Sequence, residues 1–180
     1  MKDAKKLVIE AAALVPVYRC NEAELRLVLV RRSEWGVHGG HLAFPGGKYD
    51  TQDQSLLHTA LREAWEETGL SCELIEVLAP LPALETSTTG FRIFPFLARI
   101  IRPSEWHRNR NEREIADIIE VRLSDLIRPE AHGEEIKHLP TWPAPRRIPF
   151  YRVGAYQVWG VTYRILHPLL PRLLAGEWDT

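Results

Sequence analysis

The sequence has few cysteines, no long apolar run and almost no net charge. Cys20 and Cys72 have no neighbouring pattern of ligand residues, which argues against a disulfide framework and against a zinc site. No apolar run approaches the roughly 18 to 20 residues that cross a bilayer. The net charge of -1 provides no field that would attract nucleic acid or an anionic membrane. We therefore expect a cytoplasmic protein with no nucleic-acid partner and no membrane partner.

The composition suits one folded unit. The chain has 180 residues, of which 45% are apolar and 26% charged, so it can bury a core without metals or disulfides. The apolar stretch at 7–17 follows several lysines but contains Glu10 and no clear cleavage site of small residues. We interpret that stretch as a strand rather than a signal peptide, and expect a single domain over residues 1–180.

Turn residues and apolar runs divide the chain into elements. Residues 7–18 and 25–31 are rich in Val, Leu and Ile on either side of a polar segment, which predicts an early hairpin. A glycine-rich loop follows at 35–47 and ends in Phe-Pro-Gly-Gly. Further along, we predict strands at 72–79, 91–101, 115–123 and 156–161, a helical turn at 123–127, an irregular segment at 140–149 and a last helix at 162–175, kinked by prolines.

The most distinct helix is predicted at 53–68 and ends at Gly69, a residue suited to a left-handed cap. Its apolar residues recur at three- and four-residue spacing, and we expect them to form the packing face. They are Leu57, Leu61, Ala64 and Trp65.

Three acidic residues of this helix, Glu63, Glu66 and Glu67, fall within about 100° of one another around its axis. Like charges at these spacings repel, so the group brings no intrinsic benefit to the helix and requires a compensating cation. Arg62 offsets part of the repulsion, so a solvated acidic surface with one ion pair is the alternative interpretation. Carboxylates with phosphate oxygens also suit Mg²⁺, which prefers oxygen ligands.

The residues from Gly47 to Leu70 resemble the signature of the Nudix hydrolases: Gly, five residues, Glu, seven residues, then Arg-Glu-apolar-x-Glu-Glu-x-Gly-apolar. Two departures are Asp53 in place of the first Glu and eight residues, rather than seven, between Asp53 and Arg62. The resemblance implies an α/β (α+β) fold, a Nudix-type α/β/α sandwich with a mixed central β-sheet. It also implies Mg²⁺-dependent cleavage of a diphosphate linkage, with Mn²⁺ as an alternative metal.

The same resemblance implies roles for the acidic residues. Glu63 and Glu67 are the first expected metal ligands, and Glu66 is a further ligand or the base that deprotonates water. The carbonyl group of Gly46 is another expected ligand. Arg62 is expected to orient the loop by pairing with Asp53 or a glutamate.

The base could instead come from a loop. Three glutamates are candidates, although a solvated surface position is the simpler interpretation for each of them. They are Glu85, Glu112 and Glu114.

Residues 42–48, the aspartates Asp50 and Asp53, and the segment 159–162 resemble the coenzyme A diphosphatase branch of the family. A departure is Gly36, where that branch has an arginine eight residues before the phenylalanine of Phe-Pro-Gly-Gly. The branch implies cleavage of coenzyme A or a derivative into 3′,5′-ADP and 4′-phosphopantetheine. ADP-ribose or another nucleoside diphosphate-linked compound is the alternative substrate, and a non-catalytic Nudix-like nucleotide-binding sensor is the alternative of another class.

A site that selects coenzyme A needs cations for its 3′-phosphate and aromatic rings for adenine. A surface charge or a packing role is at least as good an interpretation for each candidate. The predicted substrate-binding residues are Arg31, Arg32, Trp35, Lys48 and Phe91. The sequence leaves the oligomeric state open, a homodimer included.

Overall fold

The computed structural model describes residues 8–21, 24–33, 40–86, 90–109, 111–140, 142–178 and 180. Eight strands of this part of the chain form a central sheet. They are β1 (Ile9–Asn21), β2 (Glu24–Arg32), β3 (Leu42–Ala43), β4 (Gly46–Lys48), β5 (Ile75–Pro80), β6 (Leu84–Glu85), β7 (Phe91–Ile100) and β8 (Ile115–Arg122).

Strand β1 organises the sheet because it has partners along both edges. One edge runs parallel to β7, with Ile9 opposite Phe91 and Val17 opposite Arg99. The other edge pairs antiparallel with β4 at 11–13 and then with β2 from Val17 onward. The sheet is therefore mixed, as expected, and β4 brings the glycine loop against the centre of the sheet.

The remaining elements lie on the two faces of the central sheet. Helix α1 (Leu56–Thr68) packs on one face, where Ala60 and Ala64 join a buried cluster with Leu14 and Val28. The opposite face is covered by α2, α3 and a second sheet, which share a core with it. These elements are α2 (Leu123–Leu126), α3 (Gly160–Leu174), β9 (His132–Lys137), β10 (Arg146–Val153) and β11 (Tyr156–Trp159).

This layered arrangement confirms the predicted α/β/α sandwich with a mixed sheet. Among the described residues, no helix combines the length and the apolar character needed to cross a bilayer.

The packing face of α1 differs from the prediction. The helix begins at Leu56, after Ser55 accepts a hydrogen bond from the His58 amide, rather than at residue 53. Trp65 was predicted to pack, yet it is 56% exposed. The buried residues of the helix are small, except for one glutamate. They are Thr59, Ala60, Ala64, Glu67 and Thr68. Small side chains let the helix lie close to the sheet, which turns part of the acidic sector inward.

Two further differences concern the C-terminal part. The segment 140–149, predicted to be irregular, contains the start of β10, which pairs with the unpredicted strand β9. Helix α3 starts at Gly160 and continues through Pro168 and Pro171. Leu166, Leu169 and other apolar residues of α3 are buried, and this packing offsets the two missing amide donors.

Candidate active site

The loop that ends in Phe-Pro-Gly-Gly is fixed to helix α1 through Gly46. The Gly46 amide donates a hydrogen bond to Oε2 of Glu67 at 3.0 Å, across a buried contact. A Cβ at Gly46 would lie 2.7 Å from the Cα of Ala13 and would overlap the carbonyl oxygen of Ala12. Glycine is therefore required where β4 crosses β1, and that crossing places the Gly46 backbone beside the acidic helix.

Glu67 is the most enclosed carboxylate of the group, with 2% of its surface exposed. Burial raises the pKa of Glu67 to about 7, and the negative charges of Glu63 and Glu114 act in the same direction. Arg32 and the Gly46 amide oppose the rise. The ionised carboxylate of Glu67 therefore lowers the stability of the folded state. Such destabilised groups are common at functional sites.

Arg32 connects two oxygen atoms of the site. Its Nη2 atom donates to the carbonyl oxygen of Gly46 at 3.2 Å and lies 3.6 Å from Oε1 of Glu67. One guanidinium nitrogen therefore lies near both the loop carbonyl and the buried carboxylate.

Arg62 connects the other two acidic residues of the helix. Its Nη1 atom donates to Oε1 of Glu63 at 2.8 Å and to Oε2 of Glu66 at 3.2 Å. Burial raises the pKa of Glu63, and Arg62 opposes that rise. A Cβ at Gly47 would overlap the Glu63 carboxylate, so the second glycine of the loop leaves room for this side chain.

Asp53 holds Arg62 in place from the loop side. The Nε and Nη2 atoms of Arg62 donate to the two carboxylate oxygens of Asp53, each at 3.0 Å. The hydroxyl group of Thr59 also donates to Asp53, at 2.7 Å. Because Arg62 in particular favours the ionised form, the pKa of Asp53 is held far below its usual range. The pairing of Arg62 with Asp53 and with glutamates agrees with the expectation from sequence.

The donor chemistry of this cluster fits a hard divalent cation, since it offers three carboxylates and a backbone carbonyl. As the side chains stand, however, no three acidic, imidazole or thiol groups within the described ranges converge closely enough to hold a metal ion. Guanidinium groups lie among the carboxylates instead. The cluster therefore attracts cations, and a metal requires rearrangement of these side chains.

The predicted substrate-binding residues do not form one group. Arg32 contacts the acidic cluster, whereas its neighbour Arg31 lies over the ring of Tyr156 in the second sheet, at 5.4 Å. The Nζ atom of Lys48 lies 5.7 Å from the ring centre of Phe91. Trp35 lies outside the described residues.

One of the three loop glutamates lies near the acidic helix. The charge of Glu114 raises the pKa of both Glu63 and Glu67, and its carbonyl oxygen accepts a hydrogen bond from the Ser33 amide at 2.8 Å. Glu85 lies on β6, paired with β7, and Glu112 lies in the turn before β8.

Sequence reasoning missed Tyr156 as the partner of Arg31 and Gly47 as the neighbour of Glu63. Strand alternation was the one available signal, because Arg31 and Arg32 are consecutive in a strand and so tend to face opposite ways. The contacts with Tyr156 and Gly47 depend on long-range packing, for which the local sequence has no marker.

Comparison with known proteins agrees with this geometry. The family model for the NUDIX domain matches residues 9–145. Proteins described as "Uncharacterized Nudix hydrolase NudL" are similar along most of the chain. The one from Enterobacter sp. (strain 638) is 36% identical over 166 residues, and the one from Citrobacter koseri is 37% identical over 167; each match covers 89% of this chain and 80% of the relative.

Solved structures show the same fold at lower identity. A MutT/nudix family protein from Enterococcus faecalis has a TM-score of 0.58 at 16% identity, and the match covers 98% of this chain and 65% of that chain. An Ap4A hydrolase from C. elegans has a TM-score of 0.53 at 22% identity, covering 67% of this chain and 84% of that one. The chain therefore belongs to the Nudix family and is a hydrolase of diphosphate linkages.

Proposed function

We propose that this Nudix hydrolase cleaves coenzyme A or a derivative into 3′,5′-ADP and 4′-phosphopantetheine and that it uses Mg²⁺, with Mn²⁺ as a substitute. Nudix enzymes generally use divalent metal ions and act on small nucleotide-linked molecules. The observation that carries the proposal is the contact between the glycine loop and the acidic helix, where the Gly46 amide holds the buried carboxylate of Glu67.

The metal ligands in this proposal are the carboxylates of Glu63 and Glu67 and the carbonyl oxygen of Gly46, and Glu66 is either a further ligand or the base. Bound Mg²⁺ neutralises charge on the phosphates and lowers the pKa of a coordinated water. The chain supplies the positioning: the Gly46 amide fixes Glu67, and Arg62 holds Glu63 and Glu66 near each other. Arg62 is thus a positioning residue rather than a ligand.

Two glutamates are candidates for the base that accepts the proton of the attacking water. The side chain of Glu66 is 49% exposed, so water reaches it directly, and it is our first choice for the base. Glu114 is the second, because its charge acts on Glu63 and Glu67 from outside the helix.

The substrate assignment draws on two aromatic rings that each have a cation beside them and that lie outside the acidic cluster. Arg31 lies over Tyr156, and Lys48 lies over Phe91. Such a pair offers stacking for a base and charge for a phosphate, which are the two features of the 3′-phosphorylated adenosine end of coenzyme A.

Turnover with Mg²⁺ and a substrate panel tests the proposal. The panel contains coenzyme A, dephospho-coenzyme A, ADP-ribose, dinucleotides and nucleoside triphosphates, and we expect the highest kcat/KM for coenzyme A. A preference for ADP-ribose would reject coenzyme A as the substrate while leaving the reaction class intact. Tight binding without turnover under any divalent metal would instead indicate a nucleotide sensor.

Variants of the two cations test recognition of the 3′-phosphate. If Lys48 or Arg31 contacts this group, Lys48→Met or Arg31→Met raises KM for coenzyme A about tenfold and leaves KM for dephospho-coenzyme A nearly unchanged. Equal effects on both substrates would remove the 3′-phosphate contact from the proposal.

A further inference from the structure

Arg32 occupies a position that a bound cation would need to share. Its Nη2 atom lies 3.2 Å from the carbonyl oxygen of Gly46 and 3.6 Å from Oε1 of Glu67. Both oxygens belong to the proposed set of metal ligands. A guanidinium group and a divalent cation repel each other at such distances, so a cation bound to these oxygens disfavours Arg32 beside them.

The two arginines of the cluster are held very differently. Arg62 is anchored by two hydrogen bonds to Asp53 in addition to its contacts with the helix glutamates, and 27% of its side chain is exposed. The Arg32 guanidinium contacts the two candidate ligand oxygens, and 39% of its side chain is exposed. Arg32 is therefore the cation that can move away into solvent while Arg62 stays in place.

We propose that Arg32 is an exchangeable counter-ion of the metal site. Without a bound metal, its guanidinium donates a hydrogen bond to the Gly46 carbonyl oxygen and offsets part of the charge of Glu67, and a divalent cation must displace it in order to bind. Arg32 therefore stabilises the metal-free fold and weakens metal binding. Once displaced, the guanidinium is available to pair with a phosphate oxygen. This inference rests on the proposed metal site.

Direct binding of Mn²⁺, without substrate, tests the inference. Calorimetry or electron paramagnetic resonance would measure the Mn²⁺ dissociation constant of the wild-type chain and of Arg32→Met at fixed pH and ionic strength. We expect the dissociation constant of Arg32→Met to fall roughly three- to tenfold, because binding no longer has to displace a cation. We also expect a lower Tm for this variant in a chelator.

Arg31→Met is the matched control. Arg31 precedes Arg32 in β2 and carries the same charge, but it lies over Tyr156. Loss of Arg31 should leave the Mn²⁺ dissociation constant within about twofold, since only long-range repulsion is relieved. Equal tightening in both variants would replace displacement by a general charge effect, and unchanged or weaker binding in Arg32→Met would overturn the inference.

Two additional variants separate a folding defect of Arg32→Met and a failure of the metal site from a failure of this inference. Arg32→Gln keeps a donor for the Gly46 carbonyl without the positive charge, and the same tightening is expected if Arg32→Met does not fold. Glu67→Gln tests the metal site itself. If Mn²⁺ does not bind the wild-type chain, or binds Glu67→Gln equally well, the proposed metal site fails, whereas normal dependence on Glu67 with no effect of Arg32 rejects this inference alone.

Discussion

At the scale of single residues, Glu67 sets function against stability. Its pKa of about 7 means that the folded chain keeps the proton at pH values where the unfolded chain has lost it. The folded state therefore loses stability as the pH rises from the ordinary glutamate range to about 7, and the full cost remains above that pH. A neutral side chain of the same shape avoids this cost.

We expect Glu67→Gln to be more stable than the wild-type chain in a chelator at pH 8, by on the order of 2 kcal/mol, and to lose turnover. Urea unfolding in the absence of metal measures the difference. The gain should shrink as the pH falls from 7 to 4.5 and below, because the wild-type carboxylate then becomes protonated in the unfolded state as well. A variant that is less stable at pH 8 would show that Glu67 is well compensated by Arg32.

Glu66 should contribute little to stability, unlike Glu67, because its side chain is half exposed and its ion pair with Arg62 lies at the surface. Glu66→Gln should lower kcat at least a hundredfold and change the free energy of unfolding by less than about 1 kcal/mol. Steady-state kinetics and urea unfolding test the two parts. Unchanged turnover in both Glu66→Gln and Glu67→Gln would mean that the site lies elsewhere.

The two consecutive glycines of the loop form a matched pair of sites. An added methyl group at Gly46 meets the backbone of β1, which cannot move away, so Gly46→Ala should destabilise the fold by about 1–3 kcal/mol. An added methyl group at Gly47 meets only the movable carboxylate of Glu63. Gly47→Ala should therefore fold nearly normally and lose tenfold or more in kcat. Equal loss of stability in both variants would contradict this distinction, which thermal unfolding can measure.

At the scale of elements, the position of α1 and its three glutamates followed from the sequence, whereas its packing face followed only in part. Apolar periodicity placed Leu57, Leu61, Ala64 and Trp65 against the core. In the structure Ala60 and Ala64 are buried against the sheet and Leu61 packs beside them, whereas Trp65 is exposed. Helix periodicity identifies an apolar stripe, but how closely a helix approaches a sheet depends on side-chain size at the contact, which is settled only by tertiary packing.

The loop before α1 is one residue longer than the family pattern, yet its ion pair with the helix is still formed. Asp53, with one extra residue before Arg62, still reaches both the Nε and Nη2 atoms of that arginine. The side chain is nearly inaccessible, so the pair joins loop and helix in a protected position. The sequence could identify the pair but not its bidentate geometry.

We expect Asp53→Asn to lower the free energy of unfolding by roughly 1–3 kcal/mol at pH 7, because Arg62 loses its ionised partner. The pKa of Asp53 lies below its unfolded value, so its contribution is complete above about pH 4 and disappears as the pH falls through the folded value. The difference between variant and wild type should therefore shrink in acid. A constant difference from pH 7 to pH 2 would mean that packing, not charge, is responsible.

At the scale of the whole molecule, the sheet separates two sets of predicted site residues. The acidic cluster and Arg32 lie on the α1 side. Arg31 contacts the second sheet, and Phe91 lies on the same face of β7 as Ile93 and Leu97, which pack on the α3 side. The sequence supplied the residue types for both sets but not this separation, because it depends on which strands pair and in what register.

A metal that joins the loop to the helix should stabilise the whole fold, since the unfolded chain has no such site. At a Mg²⁺ concentration 100 times the dissociation constant, the expected gain is about 2.7 kcal/mol, visible as a concentration-dependent rise in Tm. Glu63→Gln and Glu67→Gln should lose most of this rise, whereas Glu76→Gln, which removes an exposed carboxylate paired with Arg99 on β5, should keep it. A rise of equal size in all three variants would indicate weak, delocalised binding of cations to the surface and would contradict a metal site between loop and helix.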